Sequence, residues 1–523
     1  MVEFVPVAES LKEIYTEDAL YTQTYRWEQL QKKFKVKYKN PAEFVARSPG
    51  RVNIIGEHID YSLYPVLPMA ITADFLLAVA TFDDESDTSF KIKVSNVQSD
   101  KFPSHEFDMP FDSVEIDAKV HEWTNYFKSG LRGALELLQK KHGKSFRPKS
   151  MEILMDGTVP AGGGLSSSAA FVSASALAVM YANGEHNVDK KELTELAIVS
   201  ERAVGVNSGG MDQSASVLSI RGSALFVSFL PTLTARPVQF PKTSPELTFV
   251  IAQSFVAADK HITGPVCYNL RVVECSLAAA YLHATINKSK DSLPTDSAPL
   301  GISLRGFHNA YFPSPKVSFE DQLTELIAIT KSTLTKEEGY TREEISPIIN
   351  LSVDELNERF TSTFPVRATH FKLRQRALHV FSEALRVLQF MKLLESPVQH
   401  LDAGSDTSTK TFNTLLGDLM NETQASCSQA YDCSCPELDE LCTIARKAGS
   451  YGSRLTGAGW GGCSVHLVPR DKVDAVRKAW KEEYYSKMEL SEEQKEGAVV
   501  VSKPGSGSAV FIVGEEEVVV EMG

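Results

Sequence analysis

Apolar positions in the first part of the chain come as short runs broken by turns, and further along they fall into helical spacing. Residues 41–85 alternate brief apolar stretches with turns such as Ser48-Pro49-Gly50, which predicts strands. Val52, Ile54 and Ile55 read as the end of a buried strand, and Gly56 lets the backbone turn after it. In residues 122–138 the apolar positions Trp123, Phe127, Leu131, Ala134, Leu135 and Leu138 share one helical face, with Arg132, Glu136 and Lys140 on the other. A strand over 151–155 leads through a glycine loop into 169–182, which is almost wholly apolar and predicts an interior helix. Further helices are predicted at 190–204, 366–396 and 412–448, and strands at 498–501 and 509–513 before an acidic tail at Glu515 to Glu517. Residues 1–40 read as a polar, partly helical lead-in. Residues 285–350 mix Ser, Thr, Pro and Lys with few apolar periods and read as insertions and mobile loops, with a domain boundary before them.

At 523 residues and 43% hydrophobic, the chain exceeds what one core sustains, so it should divide into two or three domains. It carries neither a long apolar run nor a secretory start, which points to a protein of the cytoplasm with no membrane span. The formal charge of −13 argues against nucleic acid as a partner, so any anionic ligand must be held by local donors. Seven cysteines, four of them (Cys427, Cys433, Cys435, Cys442) close together without Cys-x-x-Cys pairs, read as reduced structural thiols.

The chemistry is concentrated in a few segments. Arg51 to Asp60 places an arginine, Glu57, His58 and Asp60 behind the apolar strand, converging near Arg51. Such a set suits a small polyhydroxylated ligand, because each hydroxyl both donates and accepts; a solvated loop of paired charges is the alternative. Pro160-Ala-Gly-Gly-Gly-Leu-Ser-Ser-Ser-Ala-Ala leaves a strand, crosses three glycines and enters a helix, an arrangement that aims backbone N–H groups at a phosphate. Gly143-Lys144-Ser145 is not a P-loop, since Leu138 stands where its first glycine belongs and a helix precedes it. Glu201 and Asp212 flank a second glycine turn. Phosphoryl transfer needs a metal ligand and a group that takes or orients a hydroxyl proton; Glu201 with Ser167 or Ser168 suits the first role and Asp212 the second. A last cluster, Gly452 to Cys463, holds enough glycine to imply a close approach by something.

Three of these segments in this order, Gly50 to Asp60, Pro160 to Ala169 and Leu455 to Cys463, resemble the GHMP small-molecule kinases, and the first resembles the sugar signature of the galactokinases. The resemblance runs from about Arg47 to Pro504. It implies an α/β (α+β) two-domain fold with mixed and antiparallel sheets, an N-terminal domain over 1–230, a C-terminal domain over 231–523 and the active site in the cleft between them. It further implies ATP-dependent phosphorylation of the C1 hydroxyl of α-D-galactose, with Mg²⁺. Asp212 and Arg51 would be catalytic, and Arg51, Glu57, His58, Asp60, Asn207, Gly209, Asp212 and Tyr268 would bind the sugar. Gly162, Gly163, Gly164, Leu165, Ser166, Ser167 and Ser168 would hold the phosphates of ATP, Trp123 and Asn125 would lie on the adenine side, and Ser168 and Glu201 would face the metal. Two other readings resemble the chain: an N-acetylgalactosamine kinase, and a fungal galactose and ATP sensor that binds a transcriptional repressor. The intact Ser166 to Ala170 stretch favours retained catalysis.

Overall fold

The computed structural model describes residues 2–514 except 85, 87, 118, 119, 121, 144, 161, 202–208, 257–262, 288–291, 363–365 and 397–405. Asn207 and the acidic tail therefore lie outside the described residues. Among the described residues, thirteen strands form three sheets. In chain order they are β1 (Val7–Ala8), β2 (Phe44–Ile55), β3 (Leu67–Phe82), β4 (Ser89–Asn96), β5 (His105–Pro110), β6 (Ser150–Gly157), β7 (Ser223–Ser228), β8 (Thr234–Gln239), β9 (Leu247–Gln253), β10 (Gly452–Thr456), β11 (Cys463–Pro469), β12 (Val499–Ser502) and β13 (Ala509–Ile512).

The large sheet has the order β1-β13-β2-β3-β6-β4-β5, mixed in direction, and the second has the antiparallel order β10-β11-β9-β12. β13, the last strand among the described residues, pairs with β2 and so returns to the sheet begun by the first hundred residues. β2 is buried along its whole length. Its pairing with β3 shifts register between Pro49 and Arg51, where proline has no N–H to give, and the Arg51 N–H turns instead to the Leu165 carbonyl at 3.1 Å. That irregularity fastens the first motif to the second.

The apolar stretch after the glycine loop is the Ser167–Ala182 helix, buried on nearly every side. It packs between the Thr124–His142 and Lys190–Glu201 helices and the large sheet, as a helix apolar all round must. The lead-in is mostly one long helix, Glu17–Tyr38, docked through Trp27, Leu30 and Phe34. All seven cysteines are free thiols. Among the described residues no helix is long and apolar enough to cross a membrane.

One expectation is corrected. Residues 285–350 are not loops throughout: they hold the helices Leu304–Tyr311, Phe319–Thr333 and Arg342–Ile345. Serines that read as loop residues are their caps, with Ser303 accepting from the Gly306 N–H (3.0 Å) and Ser318 from that of Asp321 (3.1 Å). The sparse apolar residues Leu304, Phe307, Leu323 and Leu326 are fully buried, and the Phe319–Thr333 helix packs against the long Leu373–Glu395 helix.

Candidate active site

Arg51 sits where the two main motifs meet. Its Nε and Nη2 hold one oxygen of Asp212 at 2.8 and 2.7 Å, and its Nη1 donates to the Gly164 carbonyl at 2.7 Å. One guanidinium thus touches both the carboxylate at the start of the Met211–Leu218 helix and the glycine loop. Convergence of Glu57, His58 and Asp60 on Arg51 was expected, and the contacts differ. Glu57 faces Arg454 of β10 at 2.5 Å and accepts from the Gly457 N–H at 3.0 Å. His58, at φ +60, donates from Nε2 to the Ala458 carbonyl (2.9 Å), which can only accept, so that nitrogen carries the proton; Nδ1 meets the Tyr61 hydroxyl at 2.9 Å. Asp60 accepts from the Gly209 N–H at 3.1 Å, and a Cβ at Gly209 would sit 2.5 Å from that carboxylate, so only glycine fits there.

Asp60 and Asp212 are electrostatic neighbours. Burial, with the Asp212 charge added, pushes the Asp60 carboxyl up to about 6. Tyr268, first residue of the Tyr268–Ile286 helix, packs its ring 5.7 Å from His58, and burial together with Asp60, Asp212, Glu201 and Glu57 holds its phenol well above the usual value. Arg51, Asp60, Gly209, Asp212 and Tyr268 therefore lie together in the fold. Asn207 is not among the described residues.

The last glycine cluster is explained by a backbone-on-backbone contact. A Cβ at Gly457, which has φ +84, would lie 2.2 Å from the Gly164 carbonyl oxygen. The loop between β10 and β11 packs directly on Gly163 and Gly164, which lead through Leu165 and Ser166 into the Ser167–Ala182 helix. Gly162 is exposed, Ser166 is buried in a left-handed conformation, and Ser167 and Ser168 are half-buried at the helix start. Trp123 stacks on Phe171 of this helix at 6.1 Å and donates from Nε1 to the Pro103 carbonyl. Asn125 uses its amide nitrogen on the Asp117 and Val120 carbonyls, tying down the segment before its own helix. Glu201 is buried, with its carboxylate accepting from Gln213 at 2.5 Å. Among the described residues no group of three His, Cys, Asp or Glu side chains is placed to hold a metal by itself.

Comparison with known proteins gives the same order of segments. Residues 32–81 match the galactokinase galactose-binding signature, 125–219 the GHMP kinases N terminal domain and 410–486 the GHMP kinases C terminal model. Galactokinase of Saccharomyces cerevisiae is 41% identical over 92% of this chain and 93% of its own length. The chain belongs to the galactokinase family. Galactokinase of Dictyostelium discoideum is 39% identical, covering 92% of each chain. The crystal structure of Lactococcus lactis galactokinase complexed with galactose shares the fold, with a TM-score of 0.63 at 24% identity over 92% of this chain and 99% of that one. The expected two-domain α/β GHMP kinase fold is thus the fold observed.

Sequence reasoning missed the residues that hold the family's sugar signature in place. Arg454 pairs with Glu57 and donates to the Asn53 carbonyl at 2.9 Å. Glu383 and His379 of the Leu373–Glu395 helix bond the main chain at Gly56 and Glu57. Tyr431 meets the Tyr61 hydroxyl at 2.5 Å. A signal existed for two of these: His379 and Glu383 fall at helical spacing on a face that also carries Val380, Ala384 and Val387, where an amphipathic helix should be apolar.

Proposed function

We propose that this chain transfers the γ-phosphoryl group of ATP to the C1 hydroxyl of α-D-galactose, giving galactose 1-phosphate and ADP. The observation that carries the reading is Arg51, whose guanidinium joins Asp212 to the carbonyl of the phosphate loop. In this reading Asp60 and Gly209 bind sugar hydroxyls beside Asp212, with Asp60 toward the C4 hydroxyl, and Tyr268 and His58 wall the sugar. Glu57 meets it from the Arg454 side.

Asp212 orients the C1 hydroxyl and takes its proton as the oxygen attacks the γ-phosphorus. The new C1–O–P bond forms while the bond from the γ-phosphorus to the ADP oxygen breaks. Arg51 offsets charge on the transferring group from the loop side. Backbone N–H groups from Gly162 to Ser168 and the N-terminus of the following helix receive the phosphates, and Trp123, one ring from that helix, lies toward the adenine. Ser168 and Glu201 supply a hydroxyl and a carboxylate, the hard oxygens that Mg²⁺ accepts, and would hold it against the nucleotide. When bound, the ion neutralises phosphate charge. In this reading the N-terminal domain covers residues 1–230, joined by β8, which pairs with β7, and by β13, which pairs with β2, and the C-terminal domain takes the rest of 231–523.

The test is ATP-dependent phosphorylation by the purified protein of galactose, N-acetylgalactosamine and glucose in parallel. Galactose turnover is expected, and the relatives named galactokinase support it over the acetamido sugar. Preference for N-acetylgalactosamine would reassign the acceptor, and ligand binding without any turnover would make the chain a sensor.

A pH dependence follows from Asp60. Its carboxyl titrates near 6, so it is charged at neutral pH and protonated below that value, losing acceptor strength toward a hydroxyl. Galactose KM is expected to rise about tenfold as pH falls from about 7 to about 5. The Asp60→Asn variant should show a high KM with this limb flattened, and an unchanged limb in that variant would assign the titration to another group.

A further inference from the structure

The turn that carries Glu57, His58 and Asp60 is held by its main chain from a helix far along the chain. One oxygen of Glu383 accepts from the Gly56 and Glu57 N–H groups at 2.8 and 3.1 Å. One helical turn earlier, His379 Nε2 donates to the Glu57 carbonyl at 3.0 Å, while its Nδ1 meets the Ser426 hydroxyl at 2.8 Å. Both polar groups of the Glu57 residue's backbone are thus taken by one helix face. The second oxygen of Glu383 is fixed in turn by Arg386 Nε (2.9 Å) and the Thr423 hydroxyl (2.8 Å), and Glu383 is fully buried.

Resting on the sugar-binding reading above, we propose that Glu383 and His379 are positioning residues that set the galactose-binding turn from the C-terminal helices. Gly56 takes φ +102 as glycine readily does, but His58 stands at φ +60, a left-handed conformation that a histidine rarely adopts, so the turn needs support at that residue. Arg454 and Gly457 fix the side chain of Glu57, and Ala458 fixes the ring of His58. Among the described residues, Glu383 and His379 are the groups that hold the peptides on either side of Glu57. Loosening those peptides displaces the sugar contacts while leaving Arg51, Asp212 and the phosphate loop anchored elsewhere.

The experiment compares wild type, Glu383→Gln and His379→Phe in steady-state kinetics with galactose and ATP varied separately. Galactose KM is expected to rise about tenfold in each variant, with ATP KM and kcat within about threefold. A role confined to stability would lower the active fraction, and so kcat, at constant galactose KM; that result overturns the proposal. Amide hydrogen exchange of the wild-type protein serves if a variant does not fold: the Gly56 and Glu57 amides should be protected like those of β2, and fast exchange there overturns the clamp. Absence of galactose turnover in the wild type would overturn the assigned reaction instead, and the exchange measurement would still judge the clamp.

Discussion

Asp212→Ala is expected to abolish galactose phosphorylation while galactose binding stays measurable. The carboxylate makes two contacts to Arg51 through a single oxygen, and Arg51 reaches the Gly164 carbonyl from its remaining nitrogen. Removing it therefore takes away the proposed proton acceptor and also releases the guanidinium from the sugar side, so kcat should fall by about 10³-fold or more. In that variant Asp60 keeps its bond from the Gly209 N–H and Tyr268 its packing on His58, so binding is expected to survive. A second readout separates loss of chemistry from loss of structure. The Asp212 charge helps hold the Asp60 carboxyl up at about 6, with burial as the larger cause. Without that charge the low-pH limb of galactose binding should move toward more acid pH, read by calorimetric titration with galactose alone. Near-normal turnover by Asp212→Ala would remove this residue from the reaction.

What the sequence discloses and what it hides divide by the kind of contact involved. β2 and the Ser167–Ala182 helix were readable because Val52, Ile54, Ile55 and the alanine-rich run follow the periods that burial imposes. The glycine loop was readable because closely spaced glycines and serines after a strand have few other uses. The excess of glycine in 452–463 was evident, and its cause was not, since that cause is main chain distant in sequence: Gly163 and Gly164 against Gly457 and Gly462, Cys433 against Gly459 and Val256 against Gly461. Residues 285–350 misled because three short helices with capped starts need few apolar positions each, and serine at a cap looks like serine in a loop. Glu57 shows the deepest limit. Its charge suggested Arg51, six positions away, while the fold pairs it with Arg454, 397 positions away, and Glu383 grips the Gly56 amide across 327. Pairing at such separation has no local pattern for a single sequence to display.

Arg454→Met should be among the most destabilising single substitutions in the chain. Arg454 is fully buried on β10, and the Glu57 carboxylate it faces is buried as well. Burial alone would lower the charge of the guanidinium, and Glu57 outweighs it, so Arg454 stays protonated and its charge is matched inside the protein. Methionine fills comparable volume and leaves Glu57 with the Gly457 N–H as its remaining described donor. An uncompensated buried carboxylate after loss of its partner costs about 3–5 kcal/mol, and this one is an electrostatic neighbour of Asp60, which adds like charge. The expected result is a large drop in the urea midpoint and a sharp rise in galactose KM. Pairing the change with Glu57→Gln should return most of the stability, because the orphaned charge is then gone, yet it should not return galactose affinity if Glu57 contacts the sugar. Wild-type stability in Arg454→Met would mean that the pair contributes nothing to the fold, and full recovery of galactose KM in the double variant would remove Glu57 from the sugar site.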